Sequence, residues 1–303
     1  MRKSDKSLVP IQQAERESGI NRETLRKWES RYGFPRPHRV AESKRLYTSE
    51  DIQRLRVIKS LVDGGHRPGK IVNLPLKELR RVQDKQLQDE LPAAMHGLIG
   101  RVFSRLQDGD VPALQCEMET ALLAQGLKAF VEQTLPPLIS RVGNQWENGG
   151  LAIHQEHLFS EVLRSVLQSA ALRLRGAPKG IRVLMGTAPE EQHGMGLTML
   201  QALLTLEGAD CINLGTQVPI VEMVNSAVNY RAGIVAVSFS LAYPSRKIAA
   251  FVMDLRSQLP DGVVLWAGGS GVDRLRSKWP GVVRFEEIGL AAEAIRLPGS
   301  LRS

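Results

Sequence analysis

The stretch Ile181-Arg-Val-Leu-Met-Gly-Thr187, followed by Glu191-Gln-His-Gly-Met-Gly196 and an apolar-periodic run to Leu206, decides how the C-terminal half is read. An unbroken apolar run of strand length, bounded by turn residues, reads as a buried strand. The 3.6-residue period after it reads as a helix lying on that strand. The alternation recurs downstream. Residues 211–214, 233–238, 262–267 and 282–285 read as strands two to five. Residues 220–230, 245–259 and about 290–295 read as helices. Strands alternating with helices predict a parallel sheet covered by helices.

Parallel sheets take their ligands at the carboxyl ends of the strands. The polar and glycine-rich features fall there: Glu191 to Gly196 after strand one, Ser238-Phe-Ser240 at the end of strand three, and Gly268-Gly-Ser-Gly271 after strand four. The first loop lacks G-x-G-x-x-G, so it is no dinucleotide fingerprint. No Gly-Lys-Ser/Thr occurs, so it is no P-loop. Residues 180–303 thus read as an α/β Rossmann-like (flavodoxin-like) domain.

Upstream, residues 85–175 show helical periods and almost no strand signal. One helix is expected over 85–106. A second starts at Asp110 and Pro112 and ends near Gly126. A third covers 127–147, kinked at Pro136-Pro137, and a fourth covers 151–174. Four helices suffice for a four-helix bundle. His154, His157 and Glu161 share one face of the last helix. A metal site there and a plain solvent-facing polar stripe both stay open.

Charge separates the N-terminus from the rest. Residues 1–81 carry 20 Lys+Arg and 10 Asp+Glu, whereas residues 82–303 carry 20 and 22, within a chain of 303 residues and net +8. A basic segment joined to a near-neutral one is the footprint of a nucleic-acid-binding module. Two distant cysteines exclude a disulfide scaffold. No apolar run approaches the length of a membrane span, and Met1-Arg-Lys-Ser lacks the apolar core of a signal peptide. A cytoplasmic protein is expected. Within the basic segment, residues 10–18 and 22–31 read as two helices joined at Gly19-Ile20, with Asn21 as N-cap of the second. This is an all-α helix-turn-helix pattern. The second helix presents Arg22, Thr24, Arg26, Lys27 and Arg31. A Pro-stiffened basic segment ending in a short strand at Lys44-Arg-Leu-Tyr47 reads as a β-wing. Thr48 or Ser49 caps a third helix to about Asp63. Leu25, Trp28 and Leu55 are assigned to the core.

The string Thr24-Leu-Arg-Lys-Trp-Glu-Ser-Arg-Tyr-Gly33, with Arg45-Leu-Tyr-Thr-Ser-Glu-Asp-Ile52, resembles the winged helix-turn-helix of MerR-type regulators over residues 8–75. The resemblance implies recognition-helix contacts to operator DNA from Thr24 and Arg26, wing contacts from Arg39 and Arg45, and a phosphate contact near Tyr47. Arg31 and Tyr32 are left between packing and phosphate contact. Effector cysteines of metal- and thiol-sensing members are absent after this segment.

The spacing downstream points to a second resemblance. Glu191-x-His193-x-x-Gly196 is followed after 41 residues by Ser238-x-Ser240 and after 27 more by Gly268-Gly269. This is similar to the cobalamin-binding fold of methionine synthase and corrinoid proteins. Trp146, nine residues, then Glu156-His157 is similar to the helical cap of cobalamin photoreceptor repressors. The resemblance implies His193 as cobalt ligand, backed by Glu191. It implies Gly196, Ser238, Ser240, Gly268 and Gly269 around the cofactor's displaced nucleotide tail, and Trp146, Glu156 and His157 over its upper face. Three departures stand out: Glu191 replaces Asp, Ser240 replaces Leu, and Glu147 stands where photoadduct-forming members carry His.

The expected architecture is a DNA-binding domain over 1–75, a helical cap over 85–175 and a cobalamin-binding-type domain over 180–303. The expected protein is a homo-oligomeric (dimeric or tetrameric) transcriptional regulator, not an enzyme and not membrane-bound. Its cobalamin state would control assembly and operator affinity. A regulator of the same fold that senses a protein partner or another ligand is the alternative.

Overall fold

The turn chemistry of the N-terminus explains its helices. In the computed structural model, which describes residues 8–40, 44–147, 150–177, 180–272, 275 and 279–296, Asn21 is extended and its side chain accepts from Thr24 N at 2.7 Å. That cap starts α2 (Arg22–Tyr32), and Gly19, at φ +70°, ends α1 (Ile11–Ser18) with the left-handed turn an L side chain avoids. Pro10 sits in a two-residue strand, β1 (Val9–Pro10), rather than inside the first helix. It pairs with Leu46 and hands over to α1 as its extended N-cap. The wing is β2 (His38–Val40) and β3 (Lys44–Tyr47). With β1 they form an antiparallel sheet of order β1-β3-β2, so strands join what the sequence reads as an all-α domain. Thr48 caps α3 (Ser49–Asp63) in a capping box with Asp51, and α4 (Pro68–Ile71) follows. Leu25, Leu55, Ile58, Leu61 and Leu79 are fully buried in one core, with Trp28 beside them, as the helical periods require.

The helix expected over 85–106 is two helices, α5 (Leu76–Glu90) and α6 (Ala93–Asp108). Pro92 disfavours helical backbone at Leu91, and its carbonyl accepts from Met95 and His96 N instead. Asp110 caps α7 (Val111–Gln125), its side chain accepting from Ala113 N at 3.0 Å. Then α8 (Leu127–Ala129) opens into a π-turn, Phe130–Thr134, before α9 (Leu135–Glu147). The wide turn directly precedes Pro136-Pro137. Neither proline offers an N–H to the carbonyls of Glu132 and Gln133, so the ladder loosens where the sequence implies a kink. The long α10 (Ile153–Arg173) buries Phe159, Leu163, Val166 and Leu167. Gln155 Nε2 ties it to the end of α6 through Leu106 O at 3.0 Å.

The C-terminal sheet holds β4 (Arg182–Thr187), β5 (Asp210–Asn213), β6 (Ile234–Ser238), β7 (Val264–Gly268) and β8 (Val282–Phe285), all parallel, in the order β5-β4-β6-β7-β8. This is the flavodoxin-like order, with its switch point between β4 and β6. The helices are α11 (Met195–Leu206), α12 (Ile220–Asn229), α13 (Ser245–Gln258) and α14 (Ile288–Arg296). Alternate strand residues face opposite layers. Leu184, Val235, Val237 and Leu265 share one apolar layer with α12 and α13. Met185, Ala236, Trp266 and Phe285 share the other with α11 and α14. The chain divides into two compact units, residues 1–96 with 141–151, and residues 97–140 with 152–303. Among the described residues, no helix is long and apolar enough to cross a membrane.

Candidate functional site

The loop from β4 to α11 places a carboxylate inside the sheet edge and an imidazole above it. Glu191 is 1% exposed. Its Oε1 accepts from His193 N at 2.9 Å and lies 2.7 Å from His193 Nδ1. Its Oε2 accepts from Ser240 N and from Ser240 Oγ, both at 2.8 Å. An ionised carboxylate only accepts, so Nδ1 carries the proton and Nε2 is the nitrogen left for a metal. Ser240 Oγ also lies 3.1 Å from Nδ1, and it accepts from Ala242 N at 3.2 Å. The carboxylate therefore clamps the loop after β4 to the loop after β6.

The electrostatics follow this geometry. The hydrogen bond to Glu191 raises the His193 pKa against the opposing effect of partial burial. The charges of Glu191 and Glu156 add to the rise. For Glu191, burial is the largest single influence and pushes upward. The hydrogen bonds from His193 and Ser240 together outweigh it and leave the pKa lowered. Glu156 on α10 thus lies within electrostatic reach of the imidazole. It also accepts from Ser160 Oγ at 2.8 Å, and its Oε2 lies 2.9 Å from His157 Nδ1.

Below the imidazole the backbone is bare of side chains. A Cβ on Gly196 would lie 2.9 Å from Ser238 Oγ. On Gly269, whose φ is +90°, it would lie 2.6 Å from Phe239 O. A Cβ on Gly268 would meet Phe285 O at 3.3 Å. Ser238 and Gly268 are register partners on β6 and β7, so the four residues make one narrow place on the sheet edge. Ser240 also takes part in the Glu191–His193 clamp.

Sequence reasoning missed Thr187. It is fully buried, donates through Oγ1 to Glu191 O at 2.7 Å and accepts from Gln217 N at 2.9 Å. It joins the loops after β4 and β5. Its place as the last residue of a strand before the motif was the available signal. Glu190 and Gln217 hold left-handed backbone (φ 69° and 60°) on these loops, the kind of local strain that collects at ligand sites. Glu190 is further tied to Lys247 at 2.6 Å.

His154, His157 and Glu161 are all exposed on α10. Among the described residues, no group of three His, Cys, Asp or Glu converges to hold a metal ion. Trp146, half-buried on α9, belongs to the first unit; the side chain of Glu147 lies outside the described residues.

The first unit holds the residues expected to contact DNA in varied settings. Arg26 and Lys27 are exposed, and no ion pair of theirs occurs among the described residues. Thr24 is half-buried, and Arg22 pairs with Glu15 at 2.9 Å. Arg31 lies over the Tyr32 ring, 5.4 Å from its centroid, while Tyr32 packs against Gly69. The side chain of Arg39 lies outside the described residues. Arg45 is held by Glu29 on α2 at 2.8 Å, so the wing is tied to the recognition helix. Tyr47 is the correction. It is fully buried in the core, where its ring completes the packing of Leu25, Trp28 and Leu55, and it presents no phosphate contact. Burial, then the charge of Glu29, push its pKa up to about 12.

Known proteins share both halves of this arrangement. Residues 9–77 match the family model for the MerR HTH family regulatory protein, and residues 98–169 match that for the B12 binding domain. The HTH-type transcriptional repressor CarH of Myxococcus xanthus is 31% identical over 264 residues, covering 84% of this chain and 86% of the relative. The repressor CarA of the same organism is 29% identical over 261 residues, covering 84% of each. The monomethylamine corrinoid protein of Methanosarcina barkeri has the same fold over 66% of this chain and 97% of its own length, with a TM-score of 0.50 at 16% identity. With an N-terminal wing-tied recognition helix, a helical layer and a ligand edge built on Glu191 and His193, the chain belongs to the MerR-type helix-turn-helix transcriptional regulators that carry a B12-binding module.

Proposed function

We propose that this regulator senses cobalamin through His193 and that cofactor state controls its assembly and its affinity for operator DNA. The observation that carries this reading is the Glu191–His193 pair. The carboxylate fixes the imidazole tautomer and turns Nε2 outward, as partners of metal-bound histidines do. The residues fit the group. A neutral imidazole suits cobalt, and the backbone at Gly196, Gly268 and Gly269 stays bare, since a Cβ there would meet Ser238 Oγ, Phe285 O and Phe239 O. When bound, cobalamin would supply a cobalt centre that His193 could ligate. Glu191 orients His193, Ser240 and Thr187 hold Glu191 and its loop, and Glu156 and His157 stand on the cap side. No chemical turnover is implied.

On the DNA side, Arg26 and Thr24 would read base edges. Lys27, Arg22, Arg31, Arg39 and Arg45 would serve backbone phosphates. Paired half-sites ask for paired domains, so a dimer or tetramer is the working form. Cofactor binding acts by favouring one assembly over another that differs in operator affinity.

The test is direct. Purified protein incubated with adenosylcobalamin and desalted should retain a red chromophore, and His193→Ala should lose it. A colourless wild type overturns the reading.

A further inference from the structure

The sheet face beneath the glycine cradle holds a polar atom that the site as described leaves without a role. Trp266 stands two residues before Gly268 on β7. Its register partner Ala236 stands two before Ser238 on β6, so Trp266 lies one layer deeper on the face that Ser238 and Gly268 share. The indole is 2% exposed and packs edge-on against Phe285, with centroids 4.8 Å apart. Its cluster includes Leu197, the residue after Gly196. Its Nε1 is buried and has no hydrogen-bond partner among the described residues. An indole N–H can only donate, and a buried donor left unpaired is rare in native interiors.

We propose that Trp266 floors the slot for the displaced nucleotide tail and selects the tail by the inner edge of its base, favouring a base with an acceptor nitrogen there. This rests on the cobalamin reading above. A flat base seated against Gly196 and Gly268 would meet Trp266 as the next side chain inward on that sheet face. Dimethylbenzimidazole offers methyl groups on its inner edge and leaves the N–H unpaired. A purine base offers ring nitrogens, each an acceptor. A site built around a buried donor discriminates against a partner lacking the acceptor more sharply than an apolar pocket discriminates by fit.

The experiment compares three probes by equilibrium dialysis: adenosylcobalamin, the corresponding cobamide with an adenine base, and tail-less adenosylcobinamide. Wild type should bind the adenine-based cobamide at least about tenfold more tightly than adenosylcobalamin, and Trp266→Phe should bring the two within about twofold. Cobinamide should bind both proteins alike. On ¹⁵N-indole-labelled wild type, the Trp266 cross-peak, assigned by its loss in Trp266→Phe, should move with the adenine-based cobamide and stay in place with cobinamide. Equal wild-type affinities, a preference that survives in Trp266→Phe, or an unmoved cross-peak with the adenine-based cobamide bound overturns the inference alone. Binding of no cobamide by wild type overturns the sensor reading and the inference together.

Discussion

Both units join a carboxylate to a side chain of the functional surface, and they do so at opposite depths. Glu29 pairs with Arg45 where both are partly open to solvent (19% and 26% exposed). Glu191 pairs with His193 from a position that is 1% exposed, its carboxylate held by four contacts from two loops. A half-exposed ion pair is screened and replaceable, and its net worth is small. A buried carboxylate has no water to fall back on, so removing one partner leaves an unsatisfied group. The wing of the first unit is therefore held by a solvent-screened pair, whereas the Glu191–His193 edge of the second is held by one buried carboxylate.

The strongest way to break this contrast is steric. Gly269→Ala forces a side chain into left-handed backbone and against Phe239 O. It should destabilise the second unit by about 2–4 kcal/mol in a denaturant titration. A change below about 0.5 kcal/mol would show that the edge is not tightly built. Next, Glu191→Gln keeps the shape but exchanges acceptor lone pairs for N–H donors. Cobalamin affinity should fall about 10–100-fold, with operator binding by the cofactor-free protein unchanged. Retained affinity would make Glu191 a structural residue only.

Third, Arg26→Ala should weaken a specific operator complex by about 1–3 kcal/mol and relax the sequence preference. Lys27→Ala should weaken all DNA alike and lower the salt slope by about 1. If both variants behave identically in salt-titrated binding, the division between base reading and phosphate contact is wrong. Fourth, Glu29→Gln releases Arg45 from its partner. Non-specific DNA binding should tighten, by less than about tenfold, with the salt dependence steepened. No change would mean that Arg45 does not face DNA.

The smallest effect is in pH. Glu191 has a lowered pKa, so its contribution is present above its ordinary 4.5 and is lost as pH falls through the lower folded value. His193 has a raised pKa, so its contribution is complete below its ordinary 6.5 and is lost as pH rises through the higher folded value. The pair therefore supports the second unit most between about pH 4.5 and 6.5. Because the imidazole is 60% exposed, screening holds the loss on the alkaline side below about 1 kcal/mol. Thermal melts at pH 6 and pH 8.5 should differ less in His193→Ala than in wild type; an equal difference would refute the pairing.

Much of this was legible without coordinates. The helix over Met195–Leu206 and the strand over Val282–Phe285 have the bounds their periods imply, and Asn21, Thr48 and Asp110 cap the helices they were expected to cap. Periodicity and capping are local, written in residues within a turn or two of each other. That the loop after β4, Ser238 and Gly268 meet at one sheet edge was legible too, because a parallel sheet gathers the ends of its strands at one side whatever their separation in sequence. The break at Pro92, inside the helix expected over 85–106, was the local signal left unread.

What only the tertiary structure decided are the partnerships. Tyr47 sits in a basic wing, yet strand parity and the α3 core bury it. Arg45 finds Glu29 16 residues away, and Ser240 reaches Glu191 across 49. Trp266 reads as one more apolar strand residue until its N–H is found without a partner. Residue type and spacing determine which elements form and where a ligand edge lies. Which side chain satisfies which polar group depends on distances closed only when the elements pack, and in this protein the orientation of His193 rests on those distances.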